Sequence, residues 1–277
     1  MKLERGLVQT GMGYIHYRAA GAGTPVLLLH INQQSSALYD ELVEQLAPML
    51  RAVAIDYPGH GMSDHVAEQP SIDDYARSAM AVMEALGYER IYILGEAVGS
   101  AVAAQIAATQ APRVEGVILL NCPLTPDRGQ IARVLDRARE IGRPADPSGF
   151  PLTRTIDHLM MHESDFAPLV PTQSWMDRIN LAQIQAGRDR WQASTALMAF
   201  DLRRALTGIT CPALILTGEH CRFAPFCNDV SACVPHAASE IVKDARFCMG
   251  WERAAEIAQR AVEFIEGAVG QPVRRNS

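Results

Sequence analysis

The sequence is short of several things that would each define a class of protein. Apolar runs such as VLLL and GVILL are strand-sized, far below the roughly 20 residues that cross a bilayer, so no membrane partner is expected. Basic residues are the minority, 25 Lys and Arg against 31 Asp and Glu, without long like-charge runs. That balance argues against a phosphate backbone as ligand, and nucleic acid is not an expected partner. Cysteine is too sparse for a disulfide framework: Cys122, Cys211, Cys221, Cys227, Cys233 and Cys248 read as reduced thiols. The opening MKLERGLVQT has no apolar stretch of the signal-peptide kind, which makes a cytoplasmic, soluble protein the expectation. Internal repeats and low-complexity linkers are missing too. A chain of 277 residues, 48% hydrophobic, then suits one large core with an insertion better than two independent domains.

What is present alternates. LVQTGMGYIHYRAAG reads as two strands about a turn, and TPVLLLH as a strand buried on both faces. SALYDELVEQLAPML is helical, RAVAID a strand, and DYPGHGMSD a loop ordered by His60. Ser71 with Asp74 forms a capping-box signal, and the apolar spacing after it predicts a helix that Gly87 stops. RIYIL, the turn GEAVGS, the small-residue helix AVAAQIAATQ and the strand VEGVILLN follow. From Pro123 the strand signal vanishes until CPALILTG, after which come ASEIV, an amphipathic helix from Trp251 and a frayed tail, GQPVRRNS. The pattern predicts a doubly wound, mostly parallel α/β sheet, with residues 1–122 and 207–277 as core and 123–206 as a helical cap.

The order LLLH, DYPGHGMSD, strand-GEAVG-helix, cap, LILTGEH and a terminal ARF…WE helix resembles the α/β-hydrolase superfamily, in its capped branch, over nearly the whole chain. The resemblance implies a nucleophile at the centre of a strained G-x-S-x-G turn, an acid after a late strand, a histidine base before the last helix, and an oxyanion hole of backbone amides. This chain departs at every triad position. The turn reads Gly95-Glu96-Ala97-Val98-Gly99, Cys221 falls at the acid, and Arg246, within a residue of register, at the base; no histidine follows His236. Ala97 can form no covalent intermediate.

The hole survives such losses, because Ile31 and Val98 would donate from the main chain. A helix N-terminus and the cation of Arg246 would then suit a carboxylate, enolate or oxyanion, unless Arg246 pairs with Asp244 or Glu252 at the surface. Cys221 is a candidate thiolate or an inert packing residue. Glu96 ends a buried strand, where an unpaired carboxylate is costly; His30 could relieve it and form a relocated acid/base pair, or Glu96 could be plain support. In the cap, His158 and His162 share a helix face at i, i+4 and could meet substrate, or be exposed. His30, Ser35, His158 and Trp251 complete the expected substrate-binding set. No cofactor and no metal are expected, since the spacings of His220, Cys221, Cys227, Cys233 and His236 fit no closed zinc motif. The expected partner is an apolar small molecule with an anionic group, and a homodimer is left open. Two functions compete: a lyase, isomerase, decarboxylase or cyclase acting without a serine nucleophile, and an inactive ligand-binding or scaffolding relative.

Overall fold

The computed structural model describes residues 2–125, 153–162 and 164–269. The tail from residue 270 and the first part of the cap, 126–152, lie outside them. An eight-stranded sheet runs in the order β1-β2-β4-β3-β5-β6-β7-β8, made of β1 (Glu4–Thr10), β2 (Gly13–Ala20), β3 (Pro25–Leu29), β4 (Arg51–Ile55), β5 (Ile91–Glu96), β6 (Val114–Leu120), β7 (Ala213–Gly218) and β8 (Ala238–Val242). The first two strands run antiparallel, and from β4 to β8 all pairings are parallel. This is the doubly wound α/β class expected from the alternation. The winding reverses between β3 and β5, and such a switch opens a crevice at the strands' carboxyl ends.

Both sheet faces are covered, which is why the central strands are continuously apolar. Along β5, Ile91 and Ile93 face one core cluster while Tyr92 and Leu94 face the other. The first cluster is closed by α2 (Ile72–Ala85) and α3 (Val98–Thr109), the second by α1 (Asp40–Leu46) and the last helix. Ser71 caps α2 through Asp74, and the reciprocal bond of the capping box is present.

Between β6 and β7 the described chain adds helices only: α4 (Ile156–His162), α5 (Gln173–Ala186), α6 (Gln192–Ala199) and α7 (Leu202–Thr207). Leu202, Ala205 and Leu206 of α7 sit in the same core cluster as α3, so this short helix flanks the sheet. Cap and core are tied by Arg178, whose guanidinium forks onto Glu41 at 2.6 and 2.8 Å, and by His65 on buried Asp189 at 2.7 Å. After β7 come α8 (Cys227–Cys233), α9 (Met249–Glu252) and α10 (Ala254–Val269). Among the described residues no helix is long and apolar enough to cross a membrane.

The tightest packing lies where β5 turns into α3. A Cβ on Gly95 would stand 2.2 Å from the carbonyl oxygen of Gly99, and one on Gly99 only 2.0 Å from that of Leu29. Both obstacles are backbone and cannot swing aside. Gly99→Ala is therefore expected to cost ~3 kcal/mol or more. Gly87→Ala, at φ +84 in open space, should cost about 1 kcal/mol. Urea unfolding of both variants checks the ranking, and equal losses would contradict it.

Candidate functional site

Ala97 is the apex of the turn. Its backbone sits at φ 51, ψ −114, a region an L-residue enters only when its surroundings hold it there. Its N–H donates to Leu120 at 3.0 Å, and its carbonyl accepts from Ser100 N at 2.9 Å. The Ser100 hydroxyl lies 2.8 Å from the carbonyls of both Gly95 and Leu120. The apex is thus clamped by backbone and by Ser100, and its own side chain is a methyl group. The N–H of Val98, in the first turn of α3, finds no acceptor among the described residues and is the one expected oxyanion donor that this turn delivers to the crevice.

Beneath the apex lies a sealed polar knot. Glu96 is fully buried; its Oε1 accepts from Asn121 Nδ2 at 2.8 Å and from Met249 N at 3.1 Å. Asn121 also donates to the Arg246 carbonyl at 2.8 Å and accepts from Gly218 N at 3.0 Å, stapling the ends of β5, β6 and β7 to the loop after β8. Oε2 of Glu96 has no partner among the described residues. Burial pushes the Glu96 carboxyl up to about 6, against the pull of the Met249 amide and Asn121. The expected pairing with His30 is replaced by Asn121 and the start of α9. His30 faces its own scaffold: Nδ1 lies 2.6 Å from the Ile31 carbonyl, and Nε2 accepts from Tyr57 N at 3.2 Å. Burial, and then neighbouring His60, hold its imidazole down at about 3. His30 is a neutral strut and lines neither of the lobes described below.

Two adjoining lobes open in front of the apex, about 450 and 520 Å³ counting the space at their mouths. Asn32, Phe166 and Phe247 line both. The elbow lobe adds Ala97, Val98, Ser194, Arg222 and Phe223. The aromatic lobe adds Trp175, Trp191, Gln33, Gln183 and Arg154. The described lining of the two contains no carboxylate, imidazole or thiol.

Several expected positions shift by a residue. Arg246 lines neither lobe; its Nη1 donates to the Ser164 carbonyl at 2.7 Å. The next residue, Phe247, enters both lobes, and the left-handed backbone of Cys248 (φ 58) then begins α9. Cys221 is buried beside the cavity without lining it, and burial pushes its thiol up to about 12, which removes the thiolate a catalytic role needs. The cation of the elbow lobe is instead Arg222, one residue on. Ile31 lines only the aromatic lobe, and the residue of its loop that shares the elbow lobe with Val98 is Asn32. Ser35 is buried and lines neither lobe, its carbonyl accepting from Leu38 N at 3.0 Å. Trp251 stands behind the wall, its ring 5.9 Å from that of Trp175. Helix α4 meets the cavity through Leu159 rather than His158. The side chain of His162, and Glu163 with it, lie outside the described residues. Glu219, His220 and Asp244 offer metal-ligand atoms within 4.8 Å of one another, but all three are exposed and none of the three lines either lobe.

The model of the family described as alpha/beta hydrolase fold matches residues 24–218. Haloalkane dehalogenase 2 of Mycobacterium tuberculosis is 38% identical over 114 residues, and the match covers 39% of this chain and 38% of that protein. The (E)-2-((N-methylformamido)methylene)succinate hydrolase of Acinetobacter baylyi is 25% identical over 209 residues, 73% of this chain and 74% of that one. Among solved structures, a bacterial membrane phospholipase A superposes with a TM-score of 0.80 at 20% identity, over 97% of this chain and 87% of that chain.

Glu96 makes stability depend on pH. Its folded value, about 6, lies above the ordinary 4.5, so its contribution is complete below pH 4.5 and is lost as pH rises through 6, by about 2 kcal/mol. Glu96→Gln should remove about 1.2 kcal/mol of the difference between pH 5 and pH 8 in urea unfolding, and an unchanged profile would contradict the assignment. At pH 8 iodoacetamide should label half-buried Cys227 well before buried Cys221 and Cys248; peptide mass analysis that finds Cys221 labelled first would contradict its inert role.

Proposed function

Because the chain belongs to the α/β-hydrolase family, we propose that it binds a small molecule at the family's usual place, in front of the elbow, and holds it without a covalent intermediate. The observation that carries this is the apex itself. A methyl group stands where the fold presents a nucleophile, next to the free amide of Val98, in a cavity whose described walls carry no general acid or base. Val98 N–H and the start of α3 favour a partial or full negative charge on the ligand. The aromatic lobe favours an apolar body. The succinate in the name of the Acinetobacter relative is in keeping with an anionic ligand.

A second reading, an enzyme of lyase, isomerase, decarboxylase or cyclase type, is favoured by one feature. Glu96, held near 6, directly precedes the apex and is poised to change charge near neutral pH. Its seal under Asn121 and α9 weighs against proton exchange with a ligand in the cavity. Binding without turnover is therefore the leading reading.

Incubation with small apolar carboxylates and β-keto acids, followed by native mass spectrometry and analysis of the recovered ligand, separates the two. The binding reading expects a complex with unchanged ligand, and a converted ligand would establish the second. Ala97→Ser restores a hydroxyl but no base, so it should give no acyl adduct with p-nitrophenyl acetate in intact-mass spectra. A stoichiometric acetyl adduct would show that a base reaches the apex after all.

A further inference from the structure

Beside Asn32, two polar side chains line the elbow lobe, Arg222 and Ser194. Arg222 follows the buried Cys221 and keeps only 16% of its side chain exposed. Its guanidinium lies 5.1 Å from the Phe166 ring centre and 6.0 Å from that of Phe223. Aromatic contacts of this kind fix the plane of the cation and leave its N–H edges to a hydrogen-bonding partner. The carboxylate near it, Asp165, is 3.6 Å away and 65% exposed, a solvent-side pair that neutralises little. Ser194, from cap helix α6, lines the same lobe; the residue is 2% exposed and its hydroxyl has no partner among the described residues. A buried hydroxyl is normally hydrogen-bonded, and one left over in a cavity wall marks a place where a ligand completes the set.

We propose that Arg222 and Ser194 clamp a ligand carboxylate in the elbow lobe, Arg222 donating from the core and Ser194 from the cap, with the ligand's apolar body in the neighbouring aromatic lobe. This rests on reading the cavity as a noncovalent small-molecule site, and it adds the class of ligand and the residues that select it. A carboxylate suits the pair because it accepts from a guanidinium edge and a hydroxyl at once, and the Val98 amide borders the same space. A neutral amide of the same shape offers one acceptor and no charge. Since one donor comes from each part of the fold, an occupied clamp also ties α6 to the core.

The test is calorimetric titration of the full chain with 4-phenylbutanoate and with 4-phenylbutanamide, alongside emission from Trp175 and Trp191 in the aromatic lobe. Wild type should bind the acid about tenfold or more tighter than the amide, the scale of a charge-assisted hydrogen bond. Arg222→Gln should bring the two within about twofold, and Ser194→Ala should weaken the acid about threefold or more while changing the amide less. If Arg222→Gln does not fold, Arg222→Lys, which keeps the charge but not the planar fork, should still lose part of the preference. Equal binding of acid and amide by wild type, with both variants unaffected, would overturn the clamp and leave the cavity reading standing. Binding of neither probe, with tryptophan emission unchanged, would overturn that reading and the clamp with it.

Discussion

The approach of α3 to the ends of β3 and β5 is the contact from which the rest of the site follows. Gly99 touches the Leu29 carbonyl so closely that no side chain fits between them. The helix can begin there only if the preceding residue turns through a left-handed conformation. Ala97 accepts that conformation, and its amide and carbonyl are fixed by Leu120 and Ser100. The cost of such strain is met by the surrounding backbone bonds. In a G-x-S-x-G turn this geometry projects a reactive side chain. Here it projects a methyl group and still delivers the Val98 amide.

The groups that could have carried proton chemistry have been taken into scaffolding. His30 supports the loop after β4 through Tyr57, and Glu96 caps α9. Cys221 is a buried thiol, and Phe247 closes the wall where the family resemblance implies a base. What remains exposed to a ligand is donors and rings: Asn32, Arg222 and Ser194 around the elbow, with tryptophans beyond. In the proposed function such a lining receives an anion with an apolar body.

Much of the frame was legible in the sequence because its signals are local. Ser71 and Asp74 announced the start of α2, GEAVG the elbow, and the run PVLLL a strand buried on both faces. The identity of the apex residue needed nothing beyond that motif. The site walls were less legible because they depend on register in irregular loops. Arg246 and Phe247 lie in a short loop between two left-handed residues, Asp244 and Cys248, that no periodicity marks. Arg222 and Asn32 were each one position from the residue singled out. Ser194 carried no signal at all: it is one small polar residue on a short cap helix, and only the placement of α6 over the elbow brings it to the lobe wall.

In the proposed function a ligand sits at the Ala97 elbow without a bond to the protein. A crystal structure of the full chain soaked with 4-phenylbutanoate tests it most directly. The carboxylate is expected in the elbow lobe between Val98 N–H, Ser194 and Arg222, and the phenyl ring between Trp175 and Trp191, with no covalent link. Density for the probe only outside the two lobes, or joined covalently to any residue, would contradict it.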